Sequence, residues 1–135
     1  MRYVFDTNIF SWLLAQDQEI VLRMSQQIKD EDIILGCPVV WYEVRRGLLA
    51  KDAKRQMQRF EELFATFLWH DFTKDDWKVA ADLWTSRRIQ GSPVNDADLL
   101  IAVFARNRNA TLISDNGKDF AGLGVPIENW KSRQT

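Results

Sequence analysis

One cysteine, one histidine, three prolines and six glycines are all that a chain of 135 residues contains of these types, and each scarcity excludes something. Cys37 alone cannot close an intrachain disulfide, and in an apolar stretch beside Pro38 it reads as a small buried hydrophobe, which suits a reducing cytoplasm. No paired cysteines, HExxH, GxSxG or glycine-rich phosphate loop is present, so the usual zinc, acyl-transfer and nucleotide-binding signatures are missing. The one histidine, His70 in Leu68-Trp-His-Asp-Phe72, lacks a Ser or Cys partner in any recognisable motif and reads as structural. Long hydrophobic runs are also missing. The longest, Leu99 to Ala105, cannot span a bilayer, and the opening Met1-Arg-Tyr-Val-Phe-Asp6 lacks the apolar core of a signal peptide, so a soluble protein with no membrane partner is expected. Neither sign of charge dominates: 18 Lys+Arg against 19 Asp+Glu leave a net −1. No global positive field gathers nucleic acid, and any RNA affinity must be local.

What is present fits one globular domain over 1–135, with 46% hydrophobic and 27% charged residues. No repeat or linker divides it, and Pro38, Pro93 and Pro126 each stand near an element boundary. Short β-rich segments occur at Tyr3–Phe5, Ile33–Cys37, Leu68–Phe72, Thr111–Ser114 and Val125–Ile127, separated by stretches mostly long enough for helices. That alternation predicts an α/β fold around a parallel sheet. Trp77, Ala80, Ala81 and Trp84 recur at helical spacing behind a capping-box pattern, Thr73-Lys-Asp-Asp76. Met57, Phe60, Phe64 and Phe67 form a second helical stripe. Asn95 to about Arg108, apolar almost all round after Asp98, predicts a helix packed centrally on the sheet.

In open α/β sheets, ligands bind beyond the carboxyl ends of the strands, near the point where strand order reverses. Asp6, in Asp6-Thr7-Asn8, ends the first strand, and Ser114-Asp115-Asn116 follows the fourth at the equivalent place. Glu43 lies in the helix after the second strand among Val39, Val40, Trp41, Tyr42 and Val44, where an acid is costly unless paired or metal-bound. Asp96 and Asp98 open the central helix. Carboxylates brought to one edge repel one another without a cation, and oxygen ligands with no histidine suit Mg²⁺ or Mn²⁺.

Taken singly, each acid also has a plainer role. Asp6 reads equally as a helix cap, Asp98 as a capping partner of Asn95, Asp96 as a complement to the helix dipole, and Ser114–Gly117 as a turn. Glu43 has Arg46 within reach on its own helix, but such a pair contributes only about 0.2–0.5 kcal/mol. The argument rests on joint placement. Positive charge collects at 45 to 59, where Arg45, Arg46, Lys51, Lys54, Arg55 and Arg59 face one acid, Asp52. This stretch reads either as a phosphate-backbone track or as a solvated helical face. Arg87, Arg88, Arg106 and Arg108 bracket Asp96 and Asp98 in sequence.

Four segments together carry a resemblance: Val4-Phe-Asp-Thr-Asn8, Tyr42-Glu-Val-Arg-Arg-Gly47, Asn95-Asp-Ala-Asp-Leu-Leu-Ile-Ala102 and Leu112-Ile-Ser-Asp-Asn-Gly-Lys-Asp-Phe120. In this order and spacing the chain resembles the PIN-domain ribonucleases, and among them the VapC-type toxins of bacterial toxin–antitoxin pairs. The resemblance implies a PIN-like α/β/α sandwich with a central, mostly parallel five-stranded sheet. It implies a Mg²⁺- or Mn²⁺-dependent endoribonuclease that cuts RNA and inhibits translation, acts in the cytoplasm, is usually a homodimer, and is neutralised by a cognate VapB-type antitoxin. Carried over, the family's first three acids are Asp6, Glu43 and Asp98, with Asp96 a neighbouring candidate ligand and Thr7, Asn8 and Ser114 in support. At the fourth position the alignment meets Asn116 with Asp115 beside it, so Asp115, Asn116 or a water fills that place, and one or two metals are compatible with the set. That departure keeps open an alternative, a PIN-like module that binds RNA or protein without cutting. Arg45, Arg46, Lys51, Lys54 and Arg55 are the expected RNA contacts. Trp12, Leu13 and Leu14, with the Met57/Phe60/Phe64 stripe, are either core or an antitoxin surface. The closing Val125-Pro-Ile-Glu-Asn-Trp130 is similar to the ends of toxins that cut the initiator-tRNA anticodon loop.

Overall fold

Four helix starts in the described residues, those at Asp6, Asp17, Thr73 and Asn95, are set by side chains that accept from the first free backbone N–H groups. The computed structural model describes residues 1–131. Strand β1 (Arg2–Phe5) runs straight into α1 (Thr7–Leu14), capped by Asp6, whose carboxylate accepts from the Thr7 N–H at 2.8 Å. Next come α2 (Gln18–Gln27), β2 (Ile33–Gly36) and α3 (Pro38–Ala50), which begins with proline in the first turn, where its missing N–H costs nothing. Then follow α4 (Lys54–Phe64), β3 (Leu68–Trp69), α5 (Lys74–Ile89), α6 (Asp96–Asn107), β4 (Thr111–Ile113), a 3₁₀ turn (Gly117–Phe120) and β5 (Ile127–Glu128).

The sheet order is β3-β2-β1-β4-β5 with every pairing parallel. All five expected strands form, flanked among the described residues by six helices, as expected of a PIN-like α/β/α fold. Strand β1 pairs with β2 on one side and β4 on the other, so strand order reverses there, and the register Phe5↔Ile113 sets Asp6 beside Ser114 at one edge. The predicted central helix is α6, with Ile101 to Ala105 wholly inaccessible to solvent. Gly36 fits tightly: a Cβ there would lie 3.0 Å from the Phe64 ring, which would have to give way by a few tenths of an ångström.

The structure moves several expectations. Strand β3 stops at Trp69, because the chain leaves the sheet to cap α5 and Phe72 packs on Phe104 at 5.4 Å between centroids. Strand β5 starts two residues late, at Ile127; Pro126 has no N–H for a ladder but its carbonyl accepts from Leu112 N. Helix α2 had not been assigned separately. The α4 stripe is core, since Phe60 and Phe64 are buried, Met57 is partly so, and Phe67 is buried beyond the helix end. Leu14 is buried too, so these residues offer no partner surface. The capping box on α5 forms in full, Thr73 N donating to Asp76 at 2.8 Å and Asp76 N to Thr73 Oγ1 at 3.2 Å. On the same helix Ala80 is buried while Trp77 and Trp84 remain about half exposed. Burial pushes the Cys37 thiol up to about 12, as befits a packing residue.

Arg108 closes the far end of α6. Its guanidinium, shielded from solvent, pairs with both Asp76 oxygens at 3.1 and 2.8 Å, donates to His70 Nδ1 at 3.3 Å and lies over the Phe104 ring at 3.9 Å. His70 is thus structural, and Arg108 is unavailable to RNA.

Candidate active site

Asp6 sits where β1 becomes α1, which fixes its carboxylate at the carboxyl edge of the sheet. Its Oδ1 accepts from Thr7 N and its Oδ2 from Ser114 Oγ, each at 2.8 Å, and Ser114 Oγ accepts from Asn116 N at 3.0 Å. The chain after β4 therefore orients the serine that orients Asp6. Glu43, one turn into α3, is held by Thr7 Oγ1 at 2.7 Å, and its other oxygen lies 3.5 Å from Arg46. Asp98 is brought to the same edge by the Asn95 cap of α6, whose side chain accepts from Ala97 N and Asp98 N.

The electrostatics tie these acids together. Burial raises the Asp6 carboxyl to about 6 against the two hydrogen bonds that lower it, with Asp98 and Glu43 adding repulsion. Burial likewise raises Asp98 to about 6, and its acidic neighbours are Asp119 and Glu43. Asp119, absent from the sequence candidates, is thus the acid after β4 that acts on Asp98. The 3₁₀ turn carries it back toward Asp98, anchored by the buried Phe120 and hydrogen-bonded through Asn116 Nδ2. An acid directly before a large apolar anchor in Gly117-Lys-Asp-Phe120 was the available signal.

The remaining candidates fall elsewhere. Asp115 accepts from Trp12 Nε1 at 2.7 Å, and Asn116 serves as a brace for Ser114 and Asp119. Asp96 lines a groove between α5 and α6 with Trp77 and Trp84. Thr7 and Ser114 support as expected. Asn8 contributes a buried Oδ1 with no hydrogen-bond partner among the described residues. Of the basic residues, Arg45 is paired with Glu61 and lies over Trp41, and Arg59 reaches the Leu14 carbonyl at 3.4 Å. Arg46 and Lys51 stand by the acids and the adjoining groove, while Lys54 and Arg55 are exposed at the start of α4.

Every donor at this edge is oxygen, the chemistry that hard divalent cations take. Among the described residues no three acids stand together closely enough to hold an ion as they are. Mg²⁺ keeps several of its waters and needs only one or two carboxylates directly. Asn8, beside Thr7 and Glu43 in the lining of the adjoining groove, has its Oδ1 buried and without a partner among the described residues.

A parallel α/β sheet with an oxygen-only acidic cluster at its switch point defines the class of domain. Residues 3–125 match the PIN domain family model, and the chain belongs to that family. It is 27% identical over 132 residues to Ribonuclease VapC2 of Rickettsia felis, covering 96% of this chain and 98% of that protein. It is 26% identical over 121 residues to Ribonuclease VapC1 of Haemophilus influenzae, covering 89% and 90%. The fold matches that in the crystal structure of VapBC2 from Rickettsia felis bound to a DNA fragment from their promoter, with TM-score 0.87, 24% identity and coverage of 97% of this chain and 100% of that one.

Proposed function

We propose that the whole chain is a single metal-dependent PIN endoribonuclease acting in the cytoplasm, the toxin of a toxin–antitoxin pair neutralised by a VapB-type partner. The observation that carries this reading is the convergence of Asp6, Glu43, Asp98 and Asp119 on one edge of the sheet, where burial, with repulsion among the acids added, raises the Asp6 and Asp98 carboxyls. Asp119 also supplies an acid after β4, where Asn116 had kept open the alternative of a non-catalytic module. The curated relatives named Ribonuclease VapC support RNA as substrate. Within RNA, the similarity of Val125–Trp130 favours the initiator-tRNA anticodon loop, although Trp130 itself packs in the core 5.5 Å from Phe5.

Asp6, Asp98 and Asp119 would hold Mg²⁺ or Mn²⁺. A bound cation supplies positive charge at the scissile phosphate and lowers the pKa of a water. Thr7 and Ser114 keep Asp6 in one orientation, which avoids reorganisation during the reaction. Glu43, with Oε1 held by Thr7, has Oε2 to accept a proton from the attacking water. Water then adds at phosphorus, the bond to the leaving oxygen breaks, and that oxygen is protonated. Arg46 beside Glu43 is placed to meet the phosphate.

The antitoxin surface lies on α1, α2 and α4, where Leu13, Met24 and Leu63 line a groove with the exposed Val21 and Leu22. Such an apolar groove fits an amphipathic partner segment. A homodimer would cover the half-exposed Trp77 and Trp84 of α5.

Antitoxin-free protein incubated with total RNA is expected to yield discrete fragments with Mg²⁺ or Mn²⁺, none with chelator, and none from Asp98→Asn protein. Fragments that persist after either treatment would refute the reading.

A further inference from the structure

A groove of about 300 Å³ opens beside the acids between α1, α3 and the start of α4, and it shares Thr7, Asn8 and Glu43 with them. Its floor is apolar, formed by Phe10 and Val44, and its far rim carries Lys51 and Gln56. Asn8 is among its lining residues, with Oδ1 shut off from solvent. Gly47 leaves the α3 side open, since a Cβ there would meet nothing within 4 Å.

We propose, resting on the RNA-cleaving reading, that this groove holds one unstacked nucleoside of the substrate next to the cut phosphate. Apolar walls take the base, and the polar side chains of the lining, Thr7, Asn8 and Gln56, meet its edge, as single-stranded RNA is read once its bases are splayed out. Lys51 at the rim meets the neighbouring phosphate. Ligand sites begin at about 300 Å³, so there is room for one nucleoside and no more. The groove thereby selects a flexible loop over a stacked duplex.

The test uses Asp98→Asn protein, which binds without cutting, and a cleavable-loop oligonucleotide with or without an abasic spacer beside the cut. Gly47→Leu, which fills the groove from a helical position with free space, is expected to weaken binding about tenfold. The abasic spacer should cost the open groove a similar factor and the filled groove almost nothing, a coupling that a general loss of fold would not produce. Lys51→Gln, which leaves the groove open, should lower the slope of log affinity against log salt by about one. Equal affinity of the Gly47→Leu protein, or an abasic penalty undiminished by it, would overturn the proposal. These binding results stand apart from cleavage: fragments independent of Asp98 would remove the nuclease reading and leave the groove decided by the spacer alone.

Discussion

Asp6→Asn is expected to lower metal-dependent RNA cleavage at least about 10³-fold while making the metal-free protein more stable at neutral pH. Both effects come from one carboxylate. Folding raises the Asp6 carboxyl from 3.8 to about 6, so the folded state binds its proton more tightly than the unfolded chain. The contribution to stability is therefore fully present below about pH 4, is lost as pH rises to about 6, and is absent above it. At pH 7 the ionised group opposes folding by an amount on the order of 1–3 kcal/mol, which the amide removes. Asparagine keeps an oxygen for Thr7 N, and its amide can donate to Ser114 Oγ, so the cap survives. Thermal unfolding of the two proteins from pH 4 to pH 8 checks this: the curves should separate between about 4 and 6, with the variant higher above. Coincident curves would show that the buried charge is not strained.

Asp76→Ala is expected to cost about 3–5 kcal/mol, because it leaves the buried Arg108 guanidinium unpaired. Asp76 also accepts from Asn107 Nδ2 at 2.8 Å and closes the α5 capping box, so one truncation uncouples α5 from α6. Burial alone would raise this carboxyl, but the bonds from Arg108, Thr73 N and Asn107 outweigh it and hold the group down at about 2. A depressed value gives the opposite pH sign from Asp6: this stabilisation is present above about pH 4 and is lost as pH falls toward 2. Urea unfolding at pH 7 measures the loss. An effect below about 1 kcal/mol would mean that Arg108 finds water or another acceptor.

The strands were legible because they are short apolar runs bounded by turn residues, and α6 because its apolar surface goes all the way round. Asp6, Glu43 and Asp98 were legible for a different reason: each stands at a fixed point relative to a strand end or helix start, so chain topology alone gathers them. Asp119 was not, because its position depends on a single 3₁₀ turn whose geometry no periodicity announces. Asp115 and Asp96 looked equivalent to it in sequence, and only side-chain contacts, with Trp12 for one and the α5–α6 groove for the other, separate them. Arg45 and Arg108 likewise counted as free positive charge until Glu61 and Asp76 were seen to pair with them. The core-or-surface question for α4 turned on which face meets Phe10, a long-range contact of 5.4 Å from Phe60.

Calorimetric titration of Mn²⁺ into the metal-free protein near pH 6, in buffers of different ionisation enthalpy, tests the acidic centre most directly. Asp6 and Asp98 both titrate near about 6, so binding should release protons at pH 6, release few above about 7.5, and fall steeply in the Asp6→Asn protein. Binding without proton release at pH 6, or unchanged by Asp6→Asn, would contradict the assignment of the acids at the edge of β1 and β4 as the centre that holds the metal.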